Sequence, residues 1–181
     1  MKIQLKSGDI TPKIHSKDLW GKEINVPNQN QWFFLSFHRF ATCPFCNLRT
    51  NELIRNYPKF QEKNIEIISI WPSKKELLLE HSSPTPSVFP ILSDEKKHIY
   101  KAFGVTESSL IGGLKMILHP TMIWQALSNN PKKPAIDSDP MQMPASFLID
   151  PKGIIRLAYY GAHYGDHPSI DRILSIPNSV I

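Results

Sequence analysis

Apolar residues in this chain fall into short dense runs separated by polar, turn-rich stretches. QWFFLSFHRF (Gln31 to Phe40) and IEIISIW (Ile65 to Trp71) are nearly continuous in aromatic and β-branched residues. Strands covered on both faces of a parallel sheet read that way, rather than alternating apolar with polar. Between them the spacing predicts a helix from Pro44 to about Tyr57. Proline tolerates the first helical position because its missing N–H has no intrahelical partner there. Pro58 is expected to stop the helix by disfavouring helical geometry at the residue before it. On this helix Cys46, Thr50, Leu53, Ile54 and Tyr57 would share one face. Strand, helix and strand in this order form a βαβ unit with a right-handed crossover.

The flanking segments extend the pattern. Residues up to Pro27 read as short extended pieces broken by Ser7-Gly8-Asp9 and Trp20-Gly21-Lys22. Ser73 with Glu76 resembles a capping box at a helix start. A short strand is expected near Phe89 to Leu92, then a helix from about Asp94 to Phe103 with Gly104 as its cap. SFLID and IIRLAYY flank Asp150-Pro151-Lys152-Gly153, the chemistry of a tight turn between antiparallel strands. A closing helix is expected after His163, capped near Asp166 or His167 with Pro168 in its first turn. Residues 106–140 break the alternation. SSLIGGLKMILHPTMIWQAL is apolar and divided by Pro120 into two helical pieces, and SNNPKKPAIDSDP reads as an exposed linker. This insertion is expected to pack on its own sheet, with a self-association surface, and hence a homodimer, as the alternative.

These elements specify an α/β chain with a central mixed sheet flanked by helices, an N-terminal extension and a helical insertion at about 106–140, in a single domain spanning 1–181. The 181 residues, 41% hydrophobic and 20% charged, suit a globular domain with a real core. No run approaches the roughly 18 apolar residues of a membrane span, so no membrane partner is expected. MKIQLKSGDITPKIH lacks the apolar stretch of a secretory signal, and a cytoplasmic location is the default expectation. The net charge of +5 comes as scattered pairs, Lys74-Lys75, Lys96-Lys97 and Lys132-Lys133, rather than a stripe with interleaved aromatics. Nucleic acid is therefore not an expected partner.

The candidate chemistry lies in Cys43 and Cys46, the two cysteines of the chain. A single pair cannot make a disulfide framework, and in a reducing compartment a CxxC is more often catalytic or metal-binding than structural. A strand ending near Phe40 delivers the chain to the carboxyl edge of the sheet, where open α/β sheets place their sites. Cys43 then stands at a helix start and Cys46 in its first turn, where unpaired N–H groups and the helix dipole favour thiolate over thiol. Thiolate is the form that attacks disulfides and peroxides. Residues i and i+3 also lie close enough to close a disulfide. Pro44 and Phe45 between them remove one backbone donor and add apolar cover. Competing readings are a zinc knuckle and an inert buried pair. Zinc wants four ligands, there is no second CxxC, and Gly165 with Pro168 opposes a continuous helix through His163 and His167. No cofactor is expected.

Four stretches resemble the alkyl hydroperoxide reductase/thiol-specific antioxidant (AhpC/TSA) family in its peroxiredoxin-like branch, within the thioredoxin-like superfamily. They are FHRFATCPFCNLRTNEL, FPILSDEKKHIYKAFGV, PASFLIDPKGIIRLAYYG and GDHPSIDRIL, together covering about residues 30 to 176. The resemblance implies a thioredoxin-like fold and a thiol-dependent oxidoreductase. Its partners would be a protein or small-molecule thiol or disulfide, or a hydroperoxide, with an external thiol reductant. Departures from the family pattern affect the mechanism. The Pro-x-x-x-Thr/Ser-x-x-Cys motif fits neither thiol, since Arg39 and Cys43 precede Cys46 at those offsets and Ser36 and Phe40 precede Cys43. Pro144 stands where a peroxide-polarising arginine often precedes the FxID strand. A proline there resembles thioredoxin instead, in which Met143–Pro144 would be a cis bond facing the thiols and aligning substrate. The balance of expectation is thiol–disulfide exchange first and hydroperoxide reduction second. In thioredoxin-like chemistry Cys43 would be the more exposed, attacking thiol and Cys46 the resolving one; with peroxide as substrate the sulfenic acid would instead form on Cys46, the position that resembles the family's peroxidatic cysteine. Thr42, Arg39, His38 and Arg156 are supporting candidates, the last three as cations near the thiols.

Overall fold

The computed structural model describes residues 4–81, 87–105, 115, 118–128 and 136–179. Strands β1 (Ile14–Lys17) and β2 (Glu23–Val26) form an antiparallel hairpin. Its turn is held by Asp18, whose carboxylate accepts the N–H groups of Trp20 and Lys22, and by Gly21 at φ +94. The main sheet contains β3 (Trp32–Phe37), β4 (Ile65–Trp71), β5 (Ile91–Ser93), β6 (Ala145–Ile149) and β7 (Ile155–Tyr160), in the order β5-β4-β3-β6-β7. The first three are parallel, and β6 and β7 run antiparallel to their neighbours. The helices are α1 (Pro44–Glu62), α2 (Lys75–His81), α3 (His98–Ala102), α4 (Pro120–Ser128) and α5 (Ile170–Ser175), with a 3-10 turn at Ile176–Ser179.

Period-two alternation in the apolar runs supplies two cores at once. Phe33, Leu35 and Phe37 of β3, Ile68 and Ile70 of β4, and Phe147 of β6 pack on one face, with Tyr100 and Phe103 and with the hairpin's Ile14, Ile24 and Val26. Phe34, Ile67 and Leu148 face the other way, onto Leu53 and Phe60 of α1 and Ile170 and Ile173 of α5. Burying each large apolar side chain contributes about 1.5–3 kcal/mol, so the twin cores fix the register of β3 and thereby the place where the chain leaves its carboxyl end.

Several boundaries differ from the sequence expectation for physical reasons. Helix α1 runs through Pro58 to Glu62. Pro58 is exposed, while Phe60 beyond it is fully buried and holds the last turns on the sheet. Ile54, placed on the buried face, is 41% exposed, and Arg49 is buried there instead. Ser73 does not cap α2. Its hydroxyl accepts the Ala41 N–H and donates to Asp137, tying two loops together. Helix α3 starts at His98, not Asp94, because the Asp94 carboxylate accepts the N–H groups of His98, Ile99 and Tyr100 across a tight turn with Lys97 at φ +56. Ser169 caps α5, accepting the Arg172 N–H, so Pro168 precedes the helix. The hairpin β6–β7 forms as expected, with Gly153 at φ +80 in its turn. Of the insertion, Pro120 opens α4 as anticipated, while most of the first helical piece and the linker 129–135 lie outside the described residues.

Candidate active site

Beyond Phe37 the chain leaves the sheet while still anchored to it: the His38 N–H donates to the Ile70 carbonyl at 3.0 Å. A tight turn follows, closed by the Cys43 N–H on the Phe40 carbonyl at 3.0 Å. Cys43 is the N-cap of α1, with φ −66 and ψ 117, Pro44 takes the first helical position, and Cys46 completes the first turn. Thr42 is buried in the entry turn, and Phe45 packs half-buried against the apolar cluster holding the sulfurs. Leu19, Phe40, Ala41, Trp71, Leu78 and Ile91 complete that cluster. Both cysteines are free thiols.

Arg39 ties the two sulfurs to the rest of the site. Its backbone N–H donates to Cys46 Sγ at 3.3 Å, and its Nη1 donates to Cys43 Sγ at 3.4 Å. The same guanidinium donates through Nε to the Gln142 carbonyl at 2.9 Å and through Nη2 to the Pro140 carbonyl. Its planar face lies 3.5 Å from the Tyr164 ring centroid and 5.1 Å from that of Phe40. Such a fork binds several acceptors at once, and stacking on aromatic faces keeps it in place.

The surroundings push the two thiols apart in acidity. Burial alone would raise Cys43, but the hydrogen bond from Cys46, then the Arg39 charge, outweigh it and bring the thiol down to about 7. Cys46 is raised, first by burial and then by its bond to Cys43 and the Cys43 charge. The dipole of the long helix α1 acts in the same sense at Cys43. One sulfur is thus prepared as a thiolate and the other keeps its proton. The expected difference in exposure is absent: both residues have 0% of their surface exposed. Electrostatics, not accessibility, distinguishes them.

The other candidates divide clearly. Met143 and Pro144 do lie at the thiol edge, since β6 begins at Ala145 opposite Phe37, but the cis X–Pro bond among the described residues is Val26–Pro27 and Met143–Pro144 is trans. Pro144 is engaged in the fold: its carbonyl accepts the Gly161 N–H at 2.9 Å and its ring lies where a Cβ on Gly161 would meet it at 2.9 Å. Arg156 is far from the thiols in the sheet register. It donates to Asp150 at 2.7 Å beside the β6–β7 turn, at the opposite end of β6 from Ala145. His38 is no cation. Burial, and secondarily the Arg49 charge, lower it to about 3, and its ring stacks on Trp71 at 4.0 Å. His163 packs on His119 at 4.5 Å, whereas both ring nitrogens of His167 are buried with no hydrogen-bond partner among the described residues, so the two do not form a ligand pair. Among the described residues no group of three His, Cys, Asp or Glu side chains is placed to hold a metal ion. Asp166 organises its own loop, accepting from Tyr159 Oη and the Ala162 N–H. The Pro140 and Gln142 carbonyls and the Tyr164 ring escape sequence reading: the carbonyls have no residue signature, and Tyr164 sits in an unpatterned loop.

Comparison with known sequences decides the lineage of this site. A sequence model of the AhpC/TSA family matches residues 7–158. The chain belongs to the AhpC/TSA family. Peroxiredoxin Bcp of Escherichia coli K12 is 30% identical over 110 residues, which cover 60% of this chain and 70% of that protein. A protein named putative peroxiredoxin bcp in Buchnera aphidicola is 28% identical over 112 residues, 61% and 71% of the two chains. Among solved structures, peroxidoxin BcpB of Mycobacterium tuberculosis superposes with a TM-score of 0.69 at 15% identity, covering 98% of this chain and 99% of that one. Reduced 2-Cys peroxiredoxin of Plasmodium vivax gives 0.67 at 19% identity, covering 97% and 82%. These structural likenesses show the thioredoxin-like fold. As an AhpC/TSA member with a buried dithiol, the protein is a thiol-dependent oxidoreductase, and the zinc-knuckle alternative is not favoured.

Proposed function

We propose that the chain reduces hydroperoxides, with Cys43 as attacking thiolate and Cys46 as resolving thiol. This reverses the order of expectation drawn from the residue pattern, because the sequence relatives are peroxiredoxins and Met143–Pro144 lacks the cis geometry of thioredoxin. The observation that carries the assignment is the Arg39 guanidinium on Cys43 Sγ while Cys46 holds a proton beside it. In the first step the Cys43 thiolate attacks one peroxide oxygen. The O–O bond breaks, sulfur is oxidised to sulfenic acid, and the leaving alkoxide takes a proton and departs as alcohol. The Cys46 sulfur then attacks the sulfenate sulfur, water leaves, and a Cys43–Cys46 disulfide forms. Two equivalents of an external thiol return both sulfurs to thiols and leave as a disulfide. Such a cycle suits a reducing, cytoplasmic setting. It needs some opening of the Phe45 side, since both sulfurs are covered.

One equivalent of hydroperoxide followed by mass spectrometry tests the assignment. In Cys46→Ser a single added oxygen is expected on Cys43. In Cys43→Ser oxidation of Cys46 should be slower by about 100-fold or more, in keeping with the scarcity of its thiolate. Sulfenate forming on Cys46 at the wild-type rate would reverse the roles. The homodimer remains a companion reading, supported by Trp124 of α4 and nearby Leu118, 72% and 76% exposed. Sedimentation at micromolar concentration, with Trp124→Glu as comparison, tests it.

A further inference from the structure

Tyr100 is buried beneath the site, and the chemistry above does not use it. It lies on α3 with 1% of its surface exposed, its ring edge-on to Phe37 at 5.0 Å and 87°. Its phenolic oxygen meets three backbone groups at the carboxyl ends of the two central parallel strands. It accepts the His38 N–H at 3.1 Å and lies 2.6 Å from the His38 carbonyl and 2.9 Å from the Ile70 carbonyl, to which it donates. The β3 ladder ends at Phe37, paired with Ile70 on one side and Ala145 on the other. His38 is therefore the first residue past both ladders, and the phenol continues the sheet by one residue. The next residue is Arg39, whose N–H and guanidinium contact the two sulfurs. Tyr100 is itself fixed, because its N–H is one of the three that Asp94 accepts.

We propose that Tyr100 is a positioning residue for the thiol pair: by tying the His38 backbone at the strand ends, its hydroxyl sets Arg39 against both sulfurs. The contacts it governs have little slack, since an N–H···S bond at 3.4 Å is lost when the donor shifts by roughly an ångström. A benzene ring alone would fill the core equally well, as Phe37, Phe103 and Phe147 do around it. The hydroxyl is what the three backbone contacts require. Titratable groups facing the phenol are Asp94 from the loop before α3 and Cys46 from α1; those facing Cys43 are Arg39 and Cys46.

The inference rests on Cys43 being the activated thiol, and one experiment separates the two claims. Iodoacetamide alkylation of the reduced full-length protein, followed from pH 5 to 10, reports the inflection of the reactive thiol; thermal melting of each variant accompanies it. Tyr100→Phe is expected to move the inflection upward by about one unit, making alkylation at pH 7 roughly 5-fold slower while the rate at pH 10 matches wild type. Phe103→Leu, which disturbs the same ring cluster without a bond to the strand ends, should lower the melting temperature and leave the inflection in place. A lowered melting temperature with an unmoved inflection in Tyr100→Phe would reduce Tyr100 to packing and overturn the proposal. An equal shift in Phe103→Leu would overturn it too. Should Tyr100→Phe fail to fold, Asp94→Asn, which loosens the α3 entry, must show the same upward shift. Cys43→Ser tests the underlying reading: a low-pH inflection surviving there would move the activated thiol to Cys46 without altering what Tyr100→Phe reports about positioning.

Discussion

At the scale of residues, the site depends on the contacts of one arginine. The Arg39 fork reaches Cys43, Gln142 and Pro140 while its backbone holds Cys46 and its face lies on Tyr164. Charge and shape therefore contribute separately, and substitutions can divide them. Arg39→Met removes both, and the inflection of Cys43 should rise above its value of about 7 toward that of an ordinary thiol. Arg39→Lys retains a charge but has no planar fork, so it should fall between wild type and Arg39→Met. Expected slowing of alkylation at pH 7 is about tenfold or more for Met and a few-fold for Lys. Equal loss in both variants would mean that the fork, and not the charge, sets the thiol. An Arg39→Met protein titrating like wild type would mean that the helix dipole and Cys46 suffice.

At the scale of elements, the apolar runs made β3, β4 and the β6–β7 hairpin legible, because each buried face fixes its register by period two. The strand–CxxC–helix junction was legible for the same reason: an apolar run must end, and Pro44 must begin something. What could not be read were endings governed by partners distant in sequence. Pro58 reads locally as a stop, yet Phe60 buried under the sheet carries α1 past it. Arg39 was only one of several candidate cations until residues 140–142 supplied its carbonyls, and Arg156 looked equivalent until Asp150 claimed it. The α1 reading is testable by urea unfolding. Phe60→Ala should destabilise by about 3–5 kcal/mol through loss of burial and the cavity left behind. Pro58→Ala should stabilise by about 1–3 kcal/mol, since it restores an N–H to a solvent-facing helix position. A destabilised Pro58→Ala protein would contradict a helix continuous through that residue.

At the scale of the whole molecule, the α1 face of the sheet carries an internal polar layer that the apolar cores do not explain. Ser36 and Ser146 face one another across the β3–β6 register, and the hydroxyl oxygens of both are buried without a partner. His38 lies two residues along the same strand face, and both ring nitrogens of His38 and of His167 are equally without a partner among the described residues. Arg49 of α1 keeps Nη1 on Glu52 at 2.7 Å while Nε and Nη2 have no acceptor. Burial, with the Arg49 charge next, holds both imidazoles neutral, His38 at about 3 and His167 well below its usual value. The unfolded chain binds protons at both histidines near pH 6.5, whereas the folded chain does so only at much lower pH. Stability from these two groups is therefore complete above about pH 6.5 and is lost progressively as pH falls below it, for His38 until about pH 3. For His38 the loss within that window approaches about 1.4 kcal/mol per pH unit, against a typical total of about 5–15 kcal/mol. A loss of stability on the acid side, beginning below about pH 6.5, is thus expected. His38→Phe preserves the stack on Trp71 and removes one of the two titrations. Denaturant unfolding as a function of pH should show a smaller slope below pH 6.5 than in wild type, with the two proteins similar at pH 8. A wild-type slope in His38→Phe would show that this imidazole takes up no protons on unfolding.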